Sequence, residues 1–289
     1  MKPAPFRYLA VKTIDDAIAA LARPDAKLLA GGQSLVPMMN FRLVRPAWLI
    51  DINRIVELKG IQIKGDRVLI GSMTRYADLE SSDLIKAHVP LISEAVPLIG
   101  HTAIRNRGTI GGSVSHADPA ADMPVALMAL DAVMHARSGR GERAIASTDF
   151  FVSMFTTDLD ADEILTQIEV PVVEASEGWA FMEFSRRHGD FALASVAVRL
   201  RLVAGKIEGP VRIALGAAAD RVIRARRAEA AVEGREPSPA LFDASATEAA
   251  AEIDPMTDIH GSADYRRHLV LGLVKAALAK AVERASLKH

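Results

Sequence analysis

Two glycine-rich segments hold the residues best suited to bind an anion. The first segment comprises Leu28, Leu29, Ala30, Gly31, Gly32, Gln33, Ser34 and Leu35. The second segment is the run T-I-G-G-S at 109–113, in which Thr109, Gly111, Gly112 and Ser113 are the candidate binding residues. Paired glycines let consecutive backbone N–H groups approach a phosphate with no Cβ in the way, and the neighbouring amide and hydroxyl side chains add further donors. Two such segments in one chain predict a binding site for a diphosphate.

Neither segment matches a standard nucleotide-binding motif. No G-x-G-x-x-G opens a helix after a strand, and no G-x-x-x-x-G-K-[ST] supplies a phosphate-binding lysine. We therefore expect neither a Rossmann fold nor a P-loop. Taken one at a time, each Gly-Gly pair is equally well explained as a tight turn between a strand and a helix.

Two polar residues follow the second segment, and each has two interpretations. Asp118 precedes Pro119, which predicts the N-cap of a helix that runs through Leu130. A direct role of Asp118 in binding is the alternative. His116 lies next to the glycine pair, where it either donates a hydrogen bond to the ligand or has a purely structural role.

The composition excludes several classes of function. A net charge of −1 gives no long-range field that would attract nucleic acid or an acidic membrane. The absence of cysteine rules out disulfides, a cysteine nucleophile and cysteine-ligated iron–sulfur clusters. The eight histidines show no metal-ligand spacing, and no G-x-S-x-G motif supports hydrolysis. We assign no catalytic residue and no metal site, so electron transfer by this chain would require an organic cofactor.

Length and hydropathy predict a two-domain protein outside the membrane. A chain of 289 residues that is 50% hydrophobic is long enough for two domains, or for one domain with a substantial appendage. The first residues lead directly into polar sequence, and no apolar run approaches the length of a membrane-spanning helix. We expect a cytoplasmic location.

The hydrophobic periodicity predicts an α+β organisation. Thr13 is predicted to open a helix that continues through 17–22, followed by a short strand at 27–30. Further strands are predicted at 48–52, 67–71, 163–171, 180–184, 192–203 and 211–217, further helices at 74–81, 91–98, 225–233, 239–252 and 262–285, and a hairpin over 133–146. In the last helix, the apolar stripe is predicted to contain Leu269, Leu273, Ala277 and Val282.

Two long runs of sequence resemble a known family. The run at 30–54, which contains A-G-G-Q-S-L and L-I-D-I-N-R, and the run I-R-N-R-G-T-I-G-G-S-V-S-H-A-D-P-A-A-D-M-P at 104–124 resemble the FAD-binding medium subunit of molybdenum-containing hydroxylases. Carbon monoxide dehydrogenase and the flavin domain of xanthine dehydrogenase belong to that group. The resemblance covers essentially the whole chain, because E-F-S-R-R-H-G-D-F-A-L-A at 183–194 and D-Y-R-R at 264–267 also match.

The resemblance implies a fold and a domain division. We expect a two-part FAD-binding domain of the vanillyl-alcohol-oxidase (PCMH-like) type over residues 1–174, with subdomains at about 1–55 and 56–174. A smaller α+β domain, a sheet with helices, is expected over residues 175–289.

The resemblance also implies where FAD binds. The FAD diphosphate would lie against Gly31, Gly32, Gln33, Ser34, Leu35, Thr109, Gly111, Gly112 and Ser113. Asp122 matches an acidic position that contacts the cofactor, and Leu165 matches a backbone contact near the adenine. Phe191 is expected beside the isoalloxazine ring, where many relatives carry tyrosine. Met182 and Glu183 stand where relatives often carry a lysine, a departure that bears on the flavin potential.

The function implied by the resemblance is electron transfer within a heteromeric molybdenum hydroxylase. A large molybdopterin-binding subunit would oxidise the substrate, a small iron–sulfur subunit would carry the electrons here, and this chain would deliver them to NAD or another acceptor. One alternative is a stand-alone flavin oxidase, which would need its own substrate pocket and catalytic base. Another alternative is a cofactor-free scaffold whose glycine segments only make turns. FAD binding separates the scaffold from both flavoproteins, and turnover by the isolated chain separates the two enzymes.

Overall fold

A small parallel sheet opens the chain and places the first glycine segment. The computed structural model describes residues 2–287. Its first sheet has the strand order β1-β3-β2, formed by β1 (Arg7–Ala10), β2 (Ala26–Leu29) and β3 (Trp48–Asp51). Helix α1 (Ile14–Leu21) joins the first two strands, and the Thr13 hydroxyl accepts a hydrogen bond from the Asp16 N–H at 3.1 Å, as predicted. Helix α2 (Leu35–Asn40) follows the first glycine segment.

A five-stranded antiparallel sheet forms the second part of this domain, in the order β4-β5-β10-β6-β7. Its strands are β4 (Ile61–Lys64), β5 (Arg67–Gly71), β6 (Val133–Ser138), β7 (Gly141–Ala146) and β10 (Ile164–Pro171). Strands β8 (Phe151–Ser153) and β9 (Thr156–Thr157) form a separate two-stranded sheet. Strands β6 and β7 form the predicted hairpin, with Gly139 and Arg140 at its turn.

Seven short helices accompany this sheet, and most of them share one hydrophobic core with it. They are α3 (Tyr76–Ser81), α4 (Asp83–His88), α5 (Pro90–Ala95), α6 (Thr102–Arg105), α7 (Ile110–His116), α8 (Asp122–Ala129) and α9 (Ser147–Phe150), with 3₁₀ turns at Val56–Leu58 and Val96–Leu98. Every residue of α8 is buried. A helix that is buried on all sides lies between two layers rather than on a surface.

The second domain is a sheet covered by helices. Its strands are β11 (Glu177–Phe184), β12 (Ala194–Val203), β13 (Lys206–Ile207), β14 (Arg212–Gly216) and β15 (Ile223–Arg224), in the order β11-β12-β14-β15 with β13 paired to β12. Helices α10 (Arg226–Val232), α11 (Pro239–Glu252) and α12 (Ala263–Ser286) complete a second hydrophobic core.

The buried stripe of α12 differs from the predicted one. Of the four predicted residues only Ala277 is fully buried, and the other three are partly buried at the edges. The buried side chains of α12 are Arg266, Val270, Val274, Ala277, Leu278, Ala281 and Ala285. A Cβ on Gly178 of β11 would overlap the carbonyl of Ala281. This close approach of strand and helix fits the alanines at 277, 281 and 285, and the stripe that contains them faces the sheet. Leu269, Leu273 and Val282 lie at its flanks.

The two domains meet at α8 and the segment just before it. Helix α8 contacts β12 and β14, and α5 contacts β11. The Ala217 N–H donates to the Pro119 carbonyl at 2.7 Å, and the Phe181 N–H donates to the Glu94 carboxylate at 3.1 Å. The interface therefore lies directly behind the second glycine segment.

Candidate functional site

The first glycine segment leaves β2 and turns into α2 with its backbone donors free. Gly32 has a φ of +74°, a conformation that glycine adopts without a Cβ clash. Ser34 stands at the N-cap of α2, but its side chain makes no capping hydrogen bond. Within residues 2–287, the N–H groups of the five consecutive residues 31–35 make no hydrogen bond. Such a run of free donors suits a phosphate group.

The second glycine segment forms the first turn of α7, and its backbone donors are used inside the protein. The Thr109 hydroxyl accepts a hydrogen bond from the Gly112 N–H at 3.1 Å. The Gly111 N–H donates to the Ser72 carbonyl at 2.8 Å, and the Ser113 N–H donates to the Thr109 carbonyl at 3.1 Å. The expectation that both segments offer free N–H groups is therefore wrong for this one. The side-chain donors that the second segment can still offer to a ligand are the hydroxyl groups of Thr109 and Ser113.

Missing side chains at the glycines allow the two segments to touch. A Cβ on Gly31 would overlap the carbonyl of Arg107 and would lie 2.8 Å from the Gly108 Cα. A Cβ on Gly112 would lie 3.5 Å from the Ala30 Cβ. Two segments that are far apart in sequence therefore form one continuous surface.

Two polar side chains that the sequence analysis did not single out hold the segments together. The Asn53 amide donates to the Ala30 carbonyl at 2.8 Å and to the Asp51 carboxylate at 2.7 Å. The Arg75 guanidinium donates to the Asn53 side-chain oxygen at 2.5 Å and to the Arg107 carbonyl. Asn53 thus fixes the first segment, and Arg75 connects it to the chain before the second.

A signal for Asn53 was present in the sequence, but none was present for Arg75. Asn53 directly follows β3, and the carboxyl ends of the parallel strands β2 and β3 lie at the same edge of their sheet. A polar residue there is expected to reach the glycine segment after β2. The partners of Arg75 lie 22 and 32 residues away in sequence, and no local pattern indicates them.

Buried polar atoms lie behind the second segment. Ser72 Oγ, the Tyr76 hydroxyl and Asp122 Oδ1 have no hydrogen-bond partner in the described part of the chain. Burial and the nearby Asp122 raise the pKa of the Tyr76 hydroxyl, and Ser113 acts in the opposite direction. Buried polar groups without partners are unfavourable, so a ligand or water is expected to satisfy them.

Asp118 does not cap α8, so that prediction is wrong. Asp118 Oδ1 accepts a hydrogen bond from the Ala120 N–H at 2.9 Å, which makes a local turn. Helix α8 begins only at Asp122, and its N-cap Ala121 makes no side-chain capping bond. The Pro119 carbonyl is bound by the second domain, as described above, and this contact holds the turn outside the helix. A binding role for Asp118 stays a prediction.

His116, in the last turn of α7, stacks on Phe155. The ring centroids are 4.9 Å apart and the planes differ by 27°. Burial lowers the pKa of His116, and the charge of Asp118 partly opposes this shift. The stacking supports a structural role, and a hydrogen bond from His116 to a ligand stays a prediction.

Leu165 and Phe191 lie in very different surroundings. Leu165 is buried in β10 at a step in the register with β6. Phe191 is 64% exposed in the loop between β11 and β12. In the same loop, a Cβ on Gly189 would lie 2.9 Å from the Gly100 carbonyl, so the loop rests on the first domain. The expected contacts of Leu165 and Phe191 with FAD stay predictions.

Other features of residues 2–287 give no competing site. No group of three His, Asp or Glu side chains among them is placed to hold a metal ion. No helix in this range has the length and apolar character needed to cross a membrane. An open groove between α1 and the β6–β7 hairpin is lined by residues that include Asp15, Arg137 and Glu142, and the Arg137–Asp15 ion pair at 2.8 Å occupies it. That groove lacks the free backbone donors of the glycine segments.

The family models match nearly the whole chain. Residues 4–173 match the FAD binding domain in molybdopterin dehydrogenase, and residues 179–281 match the CO dehydrogenase flavoprotein C-terminal domain. The chain belongs to the family of FAD-binding medium subunits of molybdenum hydroxylases, the carbon monoxide dehydrogenase and xanthine dehydrogenase family. The predicted two-domain α+β fold, FAD as the cofactor and membership in an oxidoreductase are thereby confirmed.

Individual relatives match over almost their full length. The chain is 41% identical to the 6-hydroxypseudooxynicotine dehydrogenase complex subunit alpha of Paenarthrobacter nicotinovorans, over 99% of this chain and 97% of the relative. It is 40% identical to the glyceraldehyde dehydrogenase medium chain of Sulfolobus acidocaldarius, over 96% and 98%. A solved structure of carbon monoxide dehydrogenase from Hydrogenophaga pseudoflava superposes with a TM-score of 0.96 at 41% identity, covering 98% of this chain and 99% of that one.

Proposed function

We propose that this chain transfers electrons from the iron–sulfur clusters of a small subunit to NAD or another acceptor. A large molybdopterin-binding subunit would oxidise the organic substrate. The observation that carries the FAD part of the proposal is the run of five free N–H groups in the first glycine segment, closed by the second segment. A cytoplasmic location and the domain boundary at residues 174 and 175, between β10 and β11, belong to the same proposal.

The residues fit a dinucleotide with a charged centre. Gly31, Gly32, Gln33, Ser34 and Leu35 would donate backbone N–H groups to the diphosphate, and Thr109 and Ser113 would add hydroxyl groups. Asp122 would contact a polar group of the cofactor from behind the second segment, as the resemblance implies. Bound FAD would supply the redox chemistry, and the protein groups would orient it and exclude water.

The residues of this chain do not determine which substrate the complex oxidises. Relatives at 41% and 40% identity are named for 6-hydroxypseudooxynicotine and for glyceraldehyde, which are chemically unrelated compounds. Similar medium chains therefore accompany different substrates. This supports a division of labour in which substrate oxidation takes place on another subunit.

The first test is binding of FAD to the isolated protein. FAD at a hundred times its Kd is expected to raise the free energy of unfolding by about 2.7 kcal/mol, because it binds only the folded state. Gly112→Val is expected to abolish this effect, because the new side chain would enter the space beside Ala30 and the Thr109 hydroxyl, where the diphosphate is proposed to lie. Gly139→Val is the control, since a Cβ there meets no atom within 4 Å. Wild-type affinity in folded Gly112→Val would place the diphosphate elsewhere.

A second test concerns the partners. In a reconstituted complex with the large and small subunits, removal of this chain is expected to abolish transfer to the final acceptor while the molybdenum centre is still reduced by substrate. The isolated chain is expected to oxidise no organic substrate. Robust turnover of alcohols, amines or aldehydes by the isolated chain would instead identify a stand-alone oxidase.

A further inference from the structure

Two acidic side chains from different domains meet at the interface. Asp122 is the first residue of α8 in the first domain, and Glu183 lies near the end of β11 in the second. Their carboxyl groups are within hydrogen-bond range of each other. Only 7% of the Asp122 surface is exposed. Like charges at such a distance, removed from water, repel each other strongly.

The packing around the pair keeps the two carboxyl groups together. Glu183 lies opposite Ser195 in the ladder of β11 and β12. Ser195 Oγ and Val125 of α8 both pack closely against Gly216. A Cβ added to Gly216 would lie 2.5 Å from Val125 Cγ2. Val125 is one helical turn beyond Asp122. The tight packing of Val125 and Ser195 on Gly216 thus holds the backbones that carry the two carboxyl groups close together.

Each carboxyl group has one oxygen that lacks a donor. Asp122 Oδ1 and Glu183 Oε2 are buried and have no hydrogen-bond partner in the described residues. Ionised carboxylates can only accept hydrogen bonds, so two facing carboxylates leave both oxygens unsatisfied. One proton placed between them satisfies both oxygens and removes one of the two charges.

We propose that Asp122 and Glu183 share one proton across the domain interface, so that the wall beside the FAD site carries one negative charge instead of two. Asp122 is the member that holds the proton, because it is the more deeply buried of the two. Glu183 is a positioning residue that acts through Asp122. The consequence for FAD rests on the proposed function, whereas proton sharing concerns this chain alone.

The electrostatic surroundings agree with this assignment. Burial raises the pKa of Asp122 well above its usual range, and the neighbouring Glu183 and Asp118 raise it further. Burial also raises the pKa of Glu183, while hydrogen bonds from Asp122 and Ser185 and the charge of His188 lower it.

The sign of the pH dependence follows from these shifts. The charged and titratable groups that face the pair are Asp118, Tyr76 and His188. A carboxyl group whose pKa is higher in the folded than in the unfolded state binds its proton more tightly when folded. Its contribution to stability is complete below the unfolded-state pKa of about 4 and is lost as the pH rises through the folded-state value.

The deciding experiment compares the stability of the FAD-free protein across pH for the wild type, Asp122→Asn and Glu183→Gln. An amide donates an N–H to the remaining carboxylate, so neither variant needs a shared proton. Relative to both variants, the folding constant of the wild type is expected to fall about tenfold per pH unit above about pH 5, until the pair is ionised. Asp149→Asn, which removes an exposed carboxylate, is the control and is expected to follow the wild type.

Infrared difference spectroscopy gives a second readout, and its first part needs only the wild type. Ordinary carboxyl groups are ionised above about pH 6. A protonated carboxyl signal of the wild type that persists above that pH supports proton sharing, and loss of this signal in either amide variant assigns it to the pair. A wild type without such a signal, or variants with the same pH slope as the wild type, would overturn the proposal.

FAD affinity separates this proposal from the proposed function. If Asp122 and Glu183 share one proton, the Kd of the wild type for FAD is expected to rise when that proton is lost. The second negative charge then repels the anionic diphosphate. The Kd of Glu183→Gln is expected to show no such rise. If the FAD-free protein titrates as described and FAD binds at no pH, the proposed function fails and proton sharing stands. If FAD binds with the same pH dependence in all three proteins, proton sharing beside the FAD site fails.

Discussion

The two glycine segments look alike in sequence but differ in what their backbones do. In the first segment, the N–H groups of residues 31–35 have no partner among the described residues. In the second, the N–H groups of Gly111, Gly112 and Ser113 all bind protein oxygens. The first segment is therefore a surface of free hydrogen-bond donors. The second is a tightly packed segment that supports it. A glycine pair alone does not reveal which of these roles its backbone has.

The glycines differ in the same way. Gly32 is needed for its left-handed backbone conformation, whereas Gly111 is needed because it packs directly on Ser72. Substitutions in the two segments should therefore separate binding from stability.

The largest effect is expected for Gly111→Ala. The new Cβ would lie 2.5 Å from Ser72 Cβ and 2.6 Å from the Ser72 carbonyl oxygen, and a backbone oxygen cannot move aside as a flexible side chain can. Overpacking of this kind is expected to lower the free energy of unfolding by about 3 kcal/mol, measured by urea denaturation of the FAD-free protein. Gly139→Ala, at the open hairpin turn, should change it by less than about 0.5 kcal/mol. Equal stability of the two variants would mean that the second segment is not tightly packed against Ser72.

An intermediate effect should distinguish Ser34→Ala from Thr109→Val. Ser34 makes no capping bond, so its hydroxyl is free to donate a hydrogen bond to FAD beside its backbone N–H. Ser34→Ala should therefore leave the stability of the FAD-free protein unchanged and weaken FAD binding about tenfold. Thr109 caps α7, so Thr109→Val should lower the free energy of unfolding by about 1 kcal/mol as well. Denaturation curves and FAD titrations of both variants provide the test. A loss of stability in Ser34→Ala would contradict the view that the first segment is free.

The smallest effect concerns His116 and pH. Burial lowers the pKa of His116 in the folded protein, so its contribution to stability is present above the unfolded-state pKa of about 6.5 and is lost as the pH falls. His116→Gln should therefore flatten the fall in stability between about pH 7 and pH 5. The exposed His260→Gln should keep the wild-type pH dependence. A steeper fall in His116→Gln would show that the imidazole is charged in its stack with Phe155.

The sequence by itself determined the local elements and the family. Hydrophobic periodicity and turn residues located α1, the β6–β7 hairpin, β10 and α11 close to their observed bounds, because those signals depend on near neighbours in the chain. The two glycine motifs, together with their long flanking runs, were specific enough to indicate the medium-subunit family and FAD.

Only the tertiary structure decided which groups are free and which are paired. Asp118 was predicted to cap α8, but a hydrogen bond from the second domain to Pro119 holds that stretch as a turn. The stripe of α12 was displaced because Gly178 brings a strand against Ala281. Glu183 looked like a departure from the family pattern, and its partner Asp122 became visible only at the domain interface. Each of these outcomes depends on residues far apart in sequence, and the hydrogen bonds and burial that join them arise only when the chain folds.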